Sequence, residues 1–72
     1  MTADQLHLDE EKIIDSVNES PISINFLEMG ILPGKTIKLI SKAPFSGPKA
    51  FLIGGSIIAL RRSEAVLIQL KL

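Results

Sequence analysis

Apolar residues follow two different periods along the chain, and the change falls in a stretch rich in glycine and proline. Between residues 21 and 29, Ile22, Phe26 and Met29 recur at i, i+4 and i+7, which places them on one face of a helix. From residue 35 onward apolar and polar positions alternate, as they do in strands with one buried face. The pattern therefore predicts a short helix followed by a sheet.

Turn-forming residues bound the predicted helix on both sides. Ser20 suits the N-cap, although Ser23 stands where Glu or Gln would complete a capping box. Gly30 is expected to end the helix in the left-handed conformation. Pro33 followed by Gly34 suits a type II turn. We expect this junction to be structural, because it carries no group suited to catalysis.

Five short segments have the composition and alternation of strands. They span residues 12–17, 35–42, 49–53, 56–61 and 65–70. Turns are predicted at residues 43–48, which are dense in proline and glycine, at the glycine pair 54–55, and at a corner over residues 62–64. Short strands with tight turns and no βαβ spacing predict a mostly β fold, a small antiparallel barrel of about five strands with one short helix after the first strand.

The alternation also assigns a direction to the side chains of each strand. Residues expected to point inward are Ile37, Leu39, Phe51, Ile53, Ile58, Leu60, Val66, Ile68 and Leu70. Three apolar residues, Ile40, Leu52 and Ile57, then fall on the outward face. Together with the apolar helix, they suggest more apolar surface than one small core can hide.

The polar start of the chain contrasts with this pattern. Residues 1–11 include an acidic run at positions 9–11 and are expected to form a flexible leader, with residues 12–72 as the folded domain. The leader lacks the basic and apolar regions of a signal peptide. The most apolar stretch, residues 50–60, is interrupted by glycine and is shorter than the about 20 residues that span a bilayer. We therefore expect a soluble protein.

Composition narrows the classes of function. With 72 residues one domain is expected, and with no cysteine there is neither a disulfide nor a thiolate metal site. The net charge of +0 gives no electrostatic reason to expect a nucleic acid or an acidic membrane as the main partner. Hydrophobic residues make up 46% of the chain but aromatic residues only 4%, and a core of Ile, Leu and Val favours strands.

The sequence offers few groups for catalysis or metal binding. The single histidine, His7, lies in the leader, away from any candidate nucleophile. Five polar residues near the N-terminus could be read as ligands of a hard metal ion: Asp4, His7, Asp9, Glu10 and Glu11. An acidic run that is simply exposed to solvent is the favoured interpretation. The glycine pair at 54–55 lacks the Lys-Ser or Lys-Thr of a phosphate-binding loop. We therefore expect no enzymatic activity, no metal site and no cofactor.

RNA binding is a weaker alternative. Six basic residues could gather on one side of a barrel: Lys35, Lys38, Lys42, Lys49, Arg61 and Arg62. Small barrels that bind single strands add stacked aromatic side chains to such a groove. Here the aromatic residues are only Phe26, Phe45 and Phe51, and Phe51 is expected to point inward. A solvated strand face is the favoured interpretation.

Four motifs in register resemble the FeoA family. Residues 26–34 (Phe-Leu-Glu-Met-Gly-Ile-Leu-Pro-Gly) are similar to the family pattern Leu-x-x-Leu-Gly-(apolar)-x-Pro-Gly, and Ala43-Pro44 and Gly47-Pro48 to its two turns. Residues 58–65 (Ile-Ala-Leu-Arg-Arg-Ser-Glu-Ala) match its last motif. The resemblance covers about residues 13–70. It departs at Phe26, where the family usually has leucine, and in the first strand, which lacks the glycine often found there.

The resemblance implies an SH3-like barrel with a helix inserted after the first strand, in a small cytoplasmic protein that assists ferrous iron uptake. The implied partner is the cytoplasmic part of FeoB, a membrane transporter with a GTP-binding domain, or a second copy of the chain. Phe26, Met29 and Ile31 are expected to border the docking site, although helix and barrel could instead simply bury each other. Another possibility is a regulatory domain acting on an iron-dependent transcriptional regulator, since similar barrels occur at the ends of such proteins.

Overall fold

The computed structural model describes residues 1–45 and 47–72, and its main feature is one antiparallel sheet. In chain order its strands are β1 (Glu11–Val17), β2 (Thr36–Lys42), β3 (Lys49–Ile53), β4 (Ser56–Leu60) and β5 (Ile68–Leu70). Their order in the sheet is β4-β3-β2-β1-β5. Among the described residues, helical structure is limited to a 3₁₀ turn at Ala3–Gln5 and a single-turn helix, α1 (Arg62–Ala65). The prediction of a mostly β protein with five antiparallel strands is confirmed.

Strand β1 is shared between two neighbours, and this bends the sheet. Its first half pairs with β2, with Glu11 opposite Lys38. Its second half pairs with β5, from Ile14 opposite Leu70 to Val17 opposite Ile68, and this ladder contains an irregularity between Ile14 and Ser16. An irregularity of this kind bends a strand and increases its twist. The two halves of the sheet therefore curve toward one common core.

The hairpin between β3 and β4 has the predicted two-residue turn. Gly54 and Gly55 have φ of +54° and +89°, and Ile53 pairs with Ser56 across them. Positive φ at both central positions defines the primed turn that matches the twist of a hairpin, and glycine adopts it without steric cost. The predicted turn at residues 43–48 includes Ser46, which lies outside the described residues.

Side chains from every strand meet in one core. Its buried members are Ala3, Leu6, Ile14, Phe26, Ile31, Ile37, Leu39, Phe51, Ile53, Leu60, Ala65, Ile68 and Leu70. Seven of the nine side chains predicted to point inward are among them. Ile58 is half-buried, and the prediction for Val66 is wrong, because its side chain is 42% exposed.

The reason for the error at Val66 is a turn of helix that delays the last strand. The Glu64 carboxylate accepts a hydrogen bond from the Arg61 N–H at 2.8 Å, and the Ala65 and Val66 N–H groups donate to Arg61 and Arg62 carbonyl oxygens. The predicted corner over residues 62–64 is therefore helical. Strand β5 begins only at residue 68, and Val66 precedes it.

The predicted helix over residues 21–29 is wrong. The segment consists of successive turns, with i to i+3 hydrogen bonds such as Phe26 N–H to Ser23 O (3.0 Å) and Met29 N–H to Phe26 O (3.0 Å). Ile22 and Ile24 are β-branched, and Ser and Asn compete for the backbone, so helix propensity is low. A segment this short would need tertiary packing of a whole apolar face to become helical, and only one of its side chains, Phe26, is buried.

The predicted signals at the end of this segment are nevertheless present. Gly30 has φ of +83°, and its N–H donates to Leu27 O at 3.1 Å. The Ile31 N–H donates to Phe26 O at 3.0 Å, which completes the bonding pattern of a Schellman motif. The left-handed glycine therefore closes a run of turns in the way that it closes a helix.

The Pro33–Gly34 turn follows directly and fastens the segment to the sheet. Gly34 has φ of +90°, and Lys35 N–H donates to Leu32 O across the turn at 3.2 Å, as expected of a type II turn. Gly34 N–H also donates to Ile14 O at 2.8 Å. The turn therefore fixes where the segment joins β1 and where β2 begins.

Residues 1–11, expected to form a leader outside the domain, instead pack against the sheet. Ala3 is 0% and Leu6 is 2% exposed. Met1 O accepts a hydrogen bond from Leu70 N–H at 2.8 Å, and Asp9 N–H donates to Leu39 O at 2.7 Å. Ala3 and Leu6 lie three residues apart and cover the core beside β5. The folded unit therefore includes this segment, and the boundary expected at residue 12 is corrected.

Candidate partner-binding site

The turns between β1 and β2 form a surface loop with an apolar outer side. We call residues 21–30 the apolar loop. With the end of β1 and the residues that follow the loop, it borders an open cleft of about 690 Å³. The cleft is lined mainly by apolar side chains, among them Val17, Ile24, Leu27 and Leu32. Such a surface is suited to contact with another apolar surface.

Of the three residues predicted to contact a partner, the structure exposes one. Phe26 and Ile31 are each 2% exposed, whereas Met29 is 39% exposed. Phe26 and Ile31 lie at the two ends of the Schellman hydrogen bond, where an apolar contact commonly accompanies the motif. The side chains of Phe26 and Ile31 therefore belong to the core, and of the three predicted residues Met29 alone has an exposed side chain.

The exposed apolar surface is supplied by their neighbours. Ile24 is 77%, Leu27 is 68% and Ile22 is 47% exposed. From the sequence, Ile22 was expected on one apolar face of a helix, and Ile24 and Leu27 would widen that face. The available signal was that the segment has more apolar residues than one contact face requires. In the run of turns, every side chain of residues 21–29 is exposed except those of Ser23, which is half-buried, and Phe26, which is buried.

Serine side chains hold the start of the apolar loop. Ser20 N–H donates to Ser23 Oγ at 2.9 Å, while Ser23 Oγ donates to Ser20 O at 2.9 Å. Ile22 N–H donates to Ser20 Oγ at 3.3 Å. Ser23 thus accepts the bond that Glu or Gln would accept in a capping box. The only ionisable side chain lining the cleft is Glu19, so the described residues provide no acid–base pair there.

The polar groups near the N-terminus are used locally. His7 is exposed, and its backbone N–H donates to Glu10 Oε1 at 3.0 Å. Lys49 Nζ donates to Asp4 O at 3.3 Å and so ties β3 to the N-terminal segment. Across the described part of the chain, no three carboxylate, imidazole or thiol groups converge as metal ligands would. These contacts are structural.

The aromatic side chains do not form a stacking surface. Phe26 and Phe51 are buried, and Phe45 is fully exposed on a loop. Single-stranded nucleic acids are bound on several aromatic side chains beside a basic groove. One isolated phenylalanine does not meet this requirement.

A separate finding is that no helix within the described residues is long and apolar enough to cross a membrane.

A five-stranded antiparallel sheet with an exposed apolar loop places this chain, by its fold, among the small β domains. The comparisons with known proteins identify which one. The FeoA domain model matches residues 1–72. The chain belongs to the FeoA family. A comparison with curated protein sequences gives no significant match.

Two solved FeoA-type structures share the fold over almost the whole chain. The Stenotrophomonas maltophilia FeoA is 26% identical, and the match covers 99% of this chain and 89% of that one with a TM-score of 0.87. It was crystallised with zinc and is described as an SH3 domain protein and a proposed ferrous iron transport activating factor. Iron(II) transport protein A from Clostridium thermocellum is 29% identical, with coverage of 99% and 44% and a TM-score of 0.90.

The manganese-activated repressor ScaR contains a similar domain. For its zinc-bound structure, the match covers 99% of this chain but 36% of that one, with 24% identity and a TM-score of 0.79. At this identity the likeness concerns the fold alone. The SH3-like fold is thus found both in FeoA proteins and in a metal-dependent repressor.

Proposed function

We propose that this protein is a non-enzymatic, cytoplasmic accessory of ferrous iron uptake that binds the cytoplasmic part of a FeoB transporter. The observation that carries the proposal is the FeoA domain match over residues 1–72. The description of the Stenotrophomonas maltophilia relative as a transport activating factor supports the same role. The apolar lining of the cleft supports binding as the means by which the protein acts.

Three exposed side chains of the apolar loop, Ile24, Leu27 and Met29, are the proposed contacts. A few apolar anchors can supply most of the affinity of an interface when they enter desolvated pockets. Phe26 and Ile31 act differently in this proposal, because they hold the loop against the core and so fix the positions of the three anchors. Of the three residues predicted to border the docking site, Met29 is thus proposed as a contact, and Phe26 and Ile31 as its structural support.

Recovery of the transporter from membranes tests this proposal. The tagged protein is compared with Ile24→Gln and Leu27→Gln, and with Leu8→Gln as the matched control, because Leu8 is also apolar and 53% exposed but lies outside the loop. We expect each loop variant to recover at least about tenfold less FeoB, since loss of a hot-spot anchor costs about 2 kcal/mol or more and about 1.4 kcal/mol already corresponds to tenfold. Recovery with Leu8→Gln should equal that of the wild type.

Equal recovery by all four proteins, each with an unchanged unfolding midpoint, would argue against the apolar loop as the interface. Recovery of a metal-dependent repressor in place of the transporter would contradict the transport role. The repressor alternative has only the shared fold in its favour, so it is an outcome of the test and not a second proposal.

A further inference from the structure

The two edges of the sheet differ in how they are covered. At one edge, the N-terminal segment lies along β5, with Thr2 bridged to Gln69 and Leu70 N–H donating to Met1 O at 2.8 Å. The other edge is β4. Among the described residues, no backbone or side-chain group outside β3 forms a hydrogen bond with Ile57 or Ala59.

The hairpin turn determines which groups of β4 point outward. In a two-residue primed turn, the flanking residues Ile53 and Ser56 exchange both backbone hydrogen bonds. Bonded and non-bonded pairs then alternate along an antiparallel ladder. The N–H and C=O groups of Ser56, Ile58 and Leu60 therefore face β3, and those of Ile57 and Ala59 face the open edge.

This edge lacks the features that usually prevent strands from pairing. Exposed edges are commonly protected by charged side chains, proline or a bulge. Ser56–Leu60 contains neither charge nor proline, and its five residues pair with β3 without a shift in register. Ile57 is 70% exposed and Ala59 is also exposed. The edge therefore offers both unpaired backbone groups and an apolar side chain.

The segment is complementary to a second copy of itself. In antiparallel pairing about a two-fold axis at Ile58, Ile57 of each copy lies opposite Ala59 of the other. These are the two residues whose backbone groups face the edge, so the pairing forms closely spaced hydrogen-bonded pairs on both sides of the axis. The same axis sets Arg61 opposite Gly55, so no like charges meet and glycine leaves room for the longer side chain.

We propose that two copies of this protein associate through their β4 edges to form a continuous antiparallel sheet. An extended segment of a different protein could use the same backbone groups. The second copy is favoured because one register satisfies three conditions at once. In that register the outward N–H and C=O groups of the two strands lie opposite each other, the facing side chains are apolar and small, and no like charges meet. The interface is small, so the dimer is expected to be reversible. This inference does not depend on the proposed iron-transport role.

Sedimentation equilibrium tests the proposal over protein concentrations from about 10 µM to about 1 mM, the range suited to a small interface. The wild type should approach twice the monomer mass. Ala59→Pro removes an outward N–H that bonds to no described group of the same copy, at an edge position where a strand tolerates proline, and it should weaken the dimer at least about tenfold. Ala59→Thr keeps the N–H and is the matched control, which should dimerise like the wild type.

A second pair of variants separates this surface from the apolar loop. Ile57→Lys places a charge on the edge and should keep the protein monomeric. Ile24→Lys places the same charge on the apolar loop and should leave the dimer unchanged while reducing recovery of FeoB. Loss of the dimer in Ile24→Lys, or an undiminished dimer in Ile57→Lys, would overturn the β4 assignment and leave the transport proposal unaffected.

Amide exchange of the wild type provides a measurement that requires no substitution. The Ile57 and Ala59 amides should exchange at least about tenfold more slowly at high than at low protein concentration, because exchange then requires dissociation. The Leu27 amide should show no such dependence. A wild type that stays monomeric near 1 mM, or an Ile57 amide protected only when a different protein is added, would overturn self-pairing.

Discussion

Single residues hold the apolar loop in place although it has no regular secondary structure. Gly30 supplies a backbone conformation that other residues adopt with strain, and Phe26 supplies the buried side chain. The glycine determines where Ile31 re-enters the core, because the Ile31 N–H reaches back to the Phe26 carbonyl oxygen. The exposed residues between them owe their positions to these two fixed points.

At this scale, Gly30→Ala should lower the free energy of unfolding by about 1–2 kcal/mol. An added Cβ at Gly30 meets nothing within 4 Å, so the cost arises from the backbone at φ +83° and not from a clash. Urea denaturation measures it. Gly30→Asn should cost less, because asparagine tolerates the left-handed region better. Equal midpoints for wild type and Gly30→Ala would contradict the role given to this residue.

At the scale of elements, the difference between a helix and a run of turns decides which groups the loop exposes. A helix over residues 21–29 would pair the N–H groups of Leu27 and Glu28 with carbonyl oxygens four residues earlier. In the structure, neither N–H donates to another described backbone group. The turns leave these amides free and rotate Leu27 toward solvent. The cleft and its apolar lining follow from this choice.

Hydrogen exchange followed by NMR distinguishes the two arrangements. The Leu27 and Glu28 amides should exchange at rates close to those of an unfolded peptide, because no intramolecular acceptor protects them. The Ile31 amide, which is bonded to Phe26 O at 3.0 Å, should exchange more slowly. Strong protection at Leu27 and Glu28 would show instead that the loop forms a helix in solution.

For the molecule as a whole, the N-terminal segment is part of the single core. Ala3 and Leu6 pack with residues of the sheet, and Asp9 N–H donates to Leu39 O on β2. A domain of this size buries a limited apolar area, so each buried side chain contributes a large share of its stability. The segment also covers the β5 edge, which leaves β4 as the edge available for pairing.

A matched pair of leucines tests the extent of the domain. Leu6→Ala should lower the free energy of unfolding by about 2–5 kcal/mol, because Leu6 is 2% exposed and its truncation leaves a cavity. Leu8→Ala should change it by no more than about 0.5 kcal/mol, since Leu8 is 53% exposed. Thermal unfolding of the two variants provides the comparison. Similar small effects at both positions would restore the interpretation of residues 1–11 as a leader outside the domain.

Much of the sheet could be predicted because its signals are local. Alternation placed Ile37, Leu39 and Phe51 inward, and the glycine pair at 54–55 identified the hairpin turn. The conformation of the apolar loop was harder to predict, since an i, i+4, i+7 spacing of apolar residues is compatible with a run of turns as well as with a helix. Alternation in the last segment missed Val66, because a turn of helix interrupts the strand before β5 begins.

The sequence by itself determined the five strands apart from the start of the last one, the left-handed glycines and the family, because each depends on a few neighbouring residues or on motifs at fixed spacing. Tertiary structure alone decided that Phe26 and Ile31 are buried, that Ile24 and Leu27 are exposed, and that residues 1–11 join the core. The physical reason is that burial depends on which surfaces meet after the chain folds back on itself. A local pattern indicates how many side chains could be buried, but only the assembled sheet determines which ones are.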